Sequence, residues 1–149
     1  IMKKREGEPW MSAEDYGRSL KGFGVNILVR DMARALEFQT LVLKNEIVYS
    51  DPDFAVLRGY GTEFMFHADH TYKGNPLHGS LLADVVRGIG IELRLHGCDP
   101  DAAVKRAKDL DFLVLDSAMD KPHGLREAYI IDDDGYVWVP DIPTETPTS

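Results

Sequence analysis

Two stretches of the chain alternate apolar residues with a period of two. The first is GFGVNILVR at 22–30 and the second is GIGIELRLH at 88–96. Such alternation predicts half-buried strands. Overlaid, Gly22 falls on Gly88, Ile27 on Leu93, Val29 on Leu95, and Asn26 on Glu92. Each stretch leads into aspartate and then a helical run: Asp31 before 32–44, and Asp99 and Asp101 before 102–110. An aspartate there offers its carboxylate to the free N–H groups of the first helical turn. Three short β-rich runs follow each helix. They are Glu46–Tyr49, Ala55–Tyr60 and Glu63–His67 in the first half, and Phe112–Leu115, Leu125–Ile131 and Tyr136–Val139 in the second. The turn Asp133-Asp134-Gly135 predicts a hairpin before the last of them, because glycine readily takes positive φ.

The order is β-α-β-β-β, twice. The repeat is too long for a solenoid, so two copies as halves of one domain are expected. The division is a 1–21 N-terminal extension, a 22–141 domain of modules 22–70 and 88–141 joined by a 71–87 connector, and a flexible 142–149 tail. Ser12, three residues before Asp15, predicts a short capped helix within the extension. The proline-rich end from Pro140 reads as frayed or extended.

Composition narrows the function classes. Seventeen basic and 25 acidic residues give a net charge of −8, which speaks against nucleic acid or an anionic membrane as the partner. Cys98 is the only cysteine, so an internal disulfide and a multi-cysteine zinc site are excluded and a reducing compartment fits. No stretch approaches the ~20 apolar residues that span a bilayer. The first fifteen residues carry no apolar signal core. A cytoplasmic location is the expectation.

Several segments together resemble the vicinal oxygen chelate superfamily, the glyoxalase, bleomycin-resistance and extradiol-dioxygenase group. They are Asn26–Asp31 followed by Phe38; Asp99-Pro-Asp101-Ala-Ala; and Pro122-His-Gly-Leu-Arg-Glu127 followed by Asp132-Asp-Asp-Gly135. The resemblance covers 22–141. It implies an α+β fold of two β-α-β-β-β modules forming a cupped mixed sheet with the site inside, and a homodimer.

Metal-binding members of that group carry ligands on strands one, four, five and eight. Carried over, the positions are Gly24 or Asn26, Met65, Glu92 and Val139. Only Glu92 is a good donor, whereas a divalent ion generally needs three or four. The expectation is therefore no metal and no cofactor, and binding of a small organic molecule. The alternative is a metal-dependent glyoxalase-type lyase or dioxygenase.

Strand parity supplies the candidate site. Glu92, mid-strand among apolar residues, either serves a ligand or acts as general base, or else makes a salt bridge to Arg94, Arg58 or Arg126. Asn26, Arg58, Met65, His67, Arg94, Arg126 and Tyr129 are the candidate ligand-binding residues. His67, His70 and His78 form the one histidine cluster. Phe38, Phe64, Phe66 and Trp138 read as core, and Cys98 as an inert thiol.

Overall fold

The computed structural model describes residues 3–81 and 84–145. The chain forms two units. One comprises Ile1–Leu36 with Asn45–Val85, the other Glu37–Lys44 with Val86–Ser149.

The first unit holds α1 (Ala13–Ser19), β1 (Asn26–Val29), most of α2 (Met32–Glu37), β2 (Glu46–Ser50), β3 (Phe54–Gly59) and β4 (Thr62–Ala68). Its sheet runs β1-β4-β3-β2. β1 lies parallel to β4, with Asn26 opposite Met65 and Leu28 opposite His67, and the other pairings are antiparallel. One face carries Ile27, Val29, Ala55, Leu57, Phe66 and Ala68, all buried. Leu28 and Val56 on the opposite face are buried as well, so β1 lacks the clean one-sided alternation its sequence suggests.

The second unit repeats this plan with β5 (Glu92–His96), α3 (Pro100–Asp109), β6 (Leu113–Asp120), β7 (Leu125–Ile131) and β8 (Val137–Pro143), ordered β5-β8-β7-β6. β5 lies parallel to β8. Phe38 is fully buried here, edge-on to Phe112 with ring centres 4.9 Å apart and 6.2 Å from Trp138. Of the aromatics expected in the core, Phe38 and Trp138 are buried in the second unit and Phe66 in the first, while Phe64 is only half-buried.

The helix starts lie where the capping residues place them. Ser12 Oγ accepts from Asp15 N, Asp31 from Arg34 N, and Asp99 from Asp101 N and Ala102 N. The helical run 32–44 is not one helix, however. α2 gives way to a π-helical turn at Phe38–Val42. The freed carbonyls find donors: Arg106 Nε reaches Val42 O at 2.9 Å, and the buried Cys98 thiol lies 3.9 Å from Leu43 O. A thiol so placed is a packing group.

β8 continues beyond its expected end. Ile142 and Pro143 pair with Arg126 and Leu125, so the flexible tail does not begin at 142. Asp141 is buried and bonded within the second unit, which holds the strand down. Residues 146–149 of the expected tail lie outside the described residues.

Candidate functional site

The two sheets treat their corresponding faces differently. On the second sheet the face is filled by charged side chains. Arg94 donates to Glu92 at 2.6 Å, Asp141 at 3.1 Å and Glu127 at 3.2 Å. His96 lies 2.8 Å from Asp141, and His123 lies 2.6 Å from Glu127. The Tyr129 hydroxyl donates to Glu92 at 3.0 Å. Glu127 and Asp141 are nearly fully buried. Burial would lower the Arg94 guanidinium, yet its hydrogen bonds to Glu92 and Asp141 and the Glu127 charge together raise it above its usual range. Burial followed by the hydrogen bond to Glu92 raises the Tyr129 phenol.

Of the open readings of Glu92, the salt bridge to Arg94 is the one present. Glu92 begins β5, is exposed, and has both carboxylate oxygens engaged. Arg58 instead pairs with Glu63 at 3.0 Å. Arg126 lies across the sheet from this cluster, holding Asp101 at 2.7 Å and Asp120 at 3.1 Å. It clamps the start of α3 to β6.

On the first sheet the corresponding face borders a cavity of about 740 Å³. Its floor is Asn26, Phe54, Met65 and His67. Its roof is the N-terminal extension, with Pro9, Met11, Tyr16 and Leu20, and one wall is the loop from Thr71 to Asn75. A second hollow shares Tyr16, Leu20, Asn26 and Met65.

The extension is held by specific contacts. Trp10 stacks on Tyr49, with centres 4.5 Å apart, and lies 6.1 Å from Phe54. The Tyr16 hydroxyl donates to Glu63 at 2.9 Å. Burial and that carboxylate push the Tyr16 phenol up to about 12. Asp53, 2% exposed, accepts from Lys4 N at 2.7 Å and Arg5 N at 3.3 Å, and sits 2.7 Å from His70 Nε2. Burial alone would raise the Asp53 carboxyl, but these donors outweigh it and hold it below the usual range. Of this roof the sequence shows the capped helix after Ser12 but not that it covers a cavity. Its only signals were Trp10 and the Ser12 cap.

His67 is the distinctive floor residue. It lies between Phe54 and Tyr72, with ring centres 6.1 and 5.7 Å away. Burial lowers its pKa, so the imidazole is neutral at neutral pH. No other described residue accepts or donates a hydrogen bond to its ring. Its neighbour in the sequence cluster, His70, serves Asp53 instead, and His78 does not line the cavity.

Register also revises one carried-over position. Asn26 and Glu92 each begin the parallel strand of their sheet, opposite Met65 and Val137. Two residues on, Leu28 faces His67 and Arg94 faces Val139. The counterpart of Val139 is therefore His67 and not Met65. The two hairpins differ in length, closing at Gly59–Thr62 and at Ile131–Val137, so position along the sequence does not show this match. Val139 itself is fully buried.

Two β-α-β-β-β units, each closed by a parallel pairing of first and last strand, have close counterparts among solved structures. A glyoxalase/bleomycin resistance protein/dioxygenase family enzyme from Burkholderia phytofirmans matches 80% of this chain and 96% of its own at 17% identity, with a TM-score of 0.66. The chain has the glyoxalase/bleomycin-resistance fold. A glyoxalase-related enzyme from Fulvimarina pelagi matches 87% of this chain and 94% of its own, at 16% identity and a TM-score of 0.66. The fosfomycin resistance protein FosX from Listeria monocytogenes matches 85% and 96%, at 17% identity and a TM-score of 0.58. No family model matches the sequence, and no curated protein resembles it in sequence. At these identities the likeness is one of fold, and the fold hosts both binding proteins and enzymes. No helix among the described residues is long and apolar enough to cross a membrane.

Proposed function

We propose that this protein binds a small organic molecule, without a metal, in the cavity between its first sheet and its N-terminal extension. The observation that carries this reading is the cavity floor. A neutral, half-buried His67 without a hydrogen-bond partner among the described residues opens into an otherwise largely apolar space of about 740 Å³. Ligand pockets are typically of this size and makeup, with a few polar groups fixing orientation. Asn26 and Met65 complete the floor. Glu92 is given no catalytic role, since Arg94 and Tyr129 occupy its oxygens.

The donors do not fit a divalent ion. With the corrected register the four positions offer His67 and Glu92 at best, and no group of three or more His, Cys, Asp or Glu stands ready to hold a metal among the described residues. Purified protein is therefore expected to hold far less than one metal per chain by elemental analysis, and chelator to leave its melting temperature unchanged. About one metal per chain, lost in His67→Ala, would restore the metal-dependent lyase or dioxygenase reading. A fragment screen by thermal shift tests the cavity itself. Hits should stabilise the wild type more than Met65→Trp, whose larger indole intrudes on the floor beside His67. A ligand at a hundred times its Kd adds about 2.7 kcal/mol. Hits that stabilise both proteins equally would place binding elsewhere.

The proposal includes a homodimer. β6 is a sheet edge and exposes Leu113 and Leu115, each 60% accessible, with Met119 beside them. An open apolar edge strand invites pairing. Light scattering at micromolar protein should give twice the chain mass of 16.7 kDa, and Leu113→Lys with Leu115→Lys should return the monomer. A monomeric wild type refutes this part.

A further inference from the structure

The charges around the cavity are at odds with the chain as a whole. The protein carries a net charge of −8, yet the cavity is lined by Lys3, Arg5 and Lys73 against the single carboxylate of Asp53. That carboxylate is already spent on His70 and on the backbone of Lys4 and Arg5. Arg5 is spent as well: its guanidinium donates to Gly7 O and lies 3.8 Å from Asp53. Lys3 and Lys73 have no carboxylate partner among the described residues. Two lysines without a carboxylate partner among the described residues thus line a space that Met11, Phe54, Met65 and Tyr72 also line. His67 adds an uncharged donor from the floor.

Resting on the binding function proposed above, we infer that the ligand is an amphiphilic organic anion. Its flat apolar body lies against Phe54 and Met65, and its acidic group meets Lys3 and Lys73. Apolar contact supplies the affinity and the two lysines the selection. A neutral molecule of the same shape leaves both cations unanswered, whereas an anion gains two charge-assisted contacts. The acidic remainder of the surface repels anions at long range, so only one able to use the apolar walls is retained.

Two probes of one shape decide the matter: 8-anilinonaphthalene-1-sulfonate, and N-phenyl-1-naphthylamine, which lacks the sulfonate. By fluorescence titration the sulfonate should bind one per chain and about tenfold more tightly than the amine, a difference of about 1.4 kcal/mol. The double variant Lys3→Gln/Lys73→Gln should lose about that tenfold for the sulfonate and leave the amine within about twofold. Raising salt from about 20 mM to about 500 mM should weaken the sulfonate alone. Met65→Trp, with its fold checked by circular dichroism, should weaken both. Equal affinities, or lysine variants without effect on the sulfonate, would overturn the anion while leaving the cavity in place. If neither probe binds, or Met65→Trp changes nothing, the anion and the cavity reading both fall.

Discussion

Arg94→Ala should lose about 3–5 kcal/mol of unfolding free energy, the usual cost of removing one partner from a buried charge cluster. Among the described residues Arg94 is the one guanidinium holding Glu127 and Asp141, whose side chains are 2% and 1% exposed. Without it two carboxylates remain side by side out of water. His96 and His123 touch the outer oxygens of the pair, but both rings are mostly exposed and cannot replace a planar fork that reaches three carboxylates at once. Arg94→Lys should recover only part of the loss, since an ammonium lacks that fork. Urea denaturation with a two-state fit measures the difference. A cost below about 1 kcal/mol would mean that the cluster is solvated, and would reopen a ligand role for Glu92.

Asp132→Ala should be the other large loss, about 2–4 kcal/mol, because it removes four acceptor contacts at once. One oxygen accepts from Asp134 N, Gly135 N and Tyr136 N, each at 3.0 Å, and the other from Trp138 Nε1 at 2.9 Å. Alanine removes all four contacts, although Gly135 N also reaches the Asp132 carbonyl oxygen at 3.0 Å, a bond that alanine keeps. Despite the four donors, burial pushes the Asp132 carboxyl up to about 6. The folded value therefore lies above the unfolded one. The stabilising contribution of this protonation is full below about pH 4 and is lost as pH rises through about 6. A rise to about 6 corresponds to roughly 3 kcal/mol at most. Carbon-detected NMR should show Asp132 titrating near pH 6. The wild type should lose more stability than Asp132→Asn between pH 4 and 7. A carboxyl titrating near 4, with parallel pH curves, would refute this.

The sequence by itself determined the two modules and their order. Period-two apolar residues at 25–29 and 91–95, capping aspartates at 31 and 99, and the turn at 133–135 are local signals, and local backbone chemistry answers them in place. It also determined the aromatic core, since Phe38, Phe66 and Trp138 have no cheaper place than the interior. Side-chain partners were not legible. Alternation placed Glu92 and Arg94 on one face of β5, but only the pairing of β5 with β8 and of β8 with β7 brought Asp141 and Glu127 to the same guanidinium. The same alternation made Arg126 a candidate, and pairing sent it to Asp101 and Asp120. His67 and Met65 looked alike by parity. The parallel register of β1 and β4 decided which of them matches Val139, because hairpin length shifts register by whole residue pairs. The cavity was furthest from the sequence. Its roof is an extension with few apolar residues, held by Trp10 on Tyr49 and by its backbone N–H groups on Asp53, and contacts between residues so far apart in sequence leave no periodic trace along the chain.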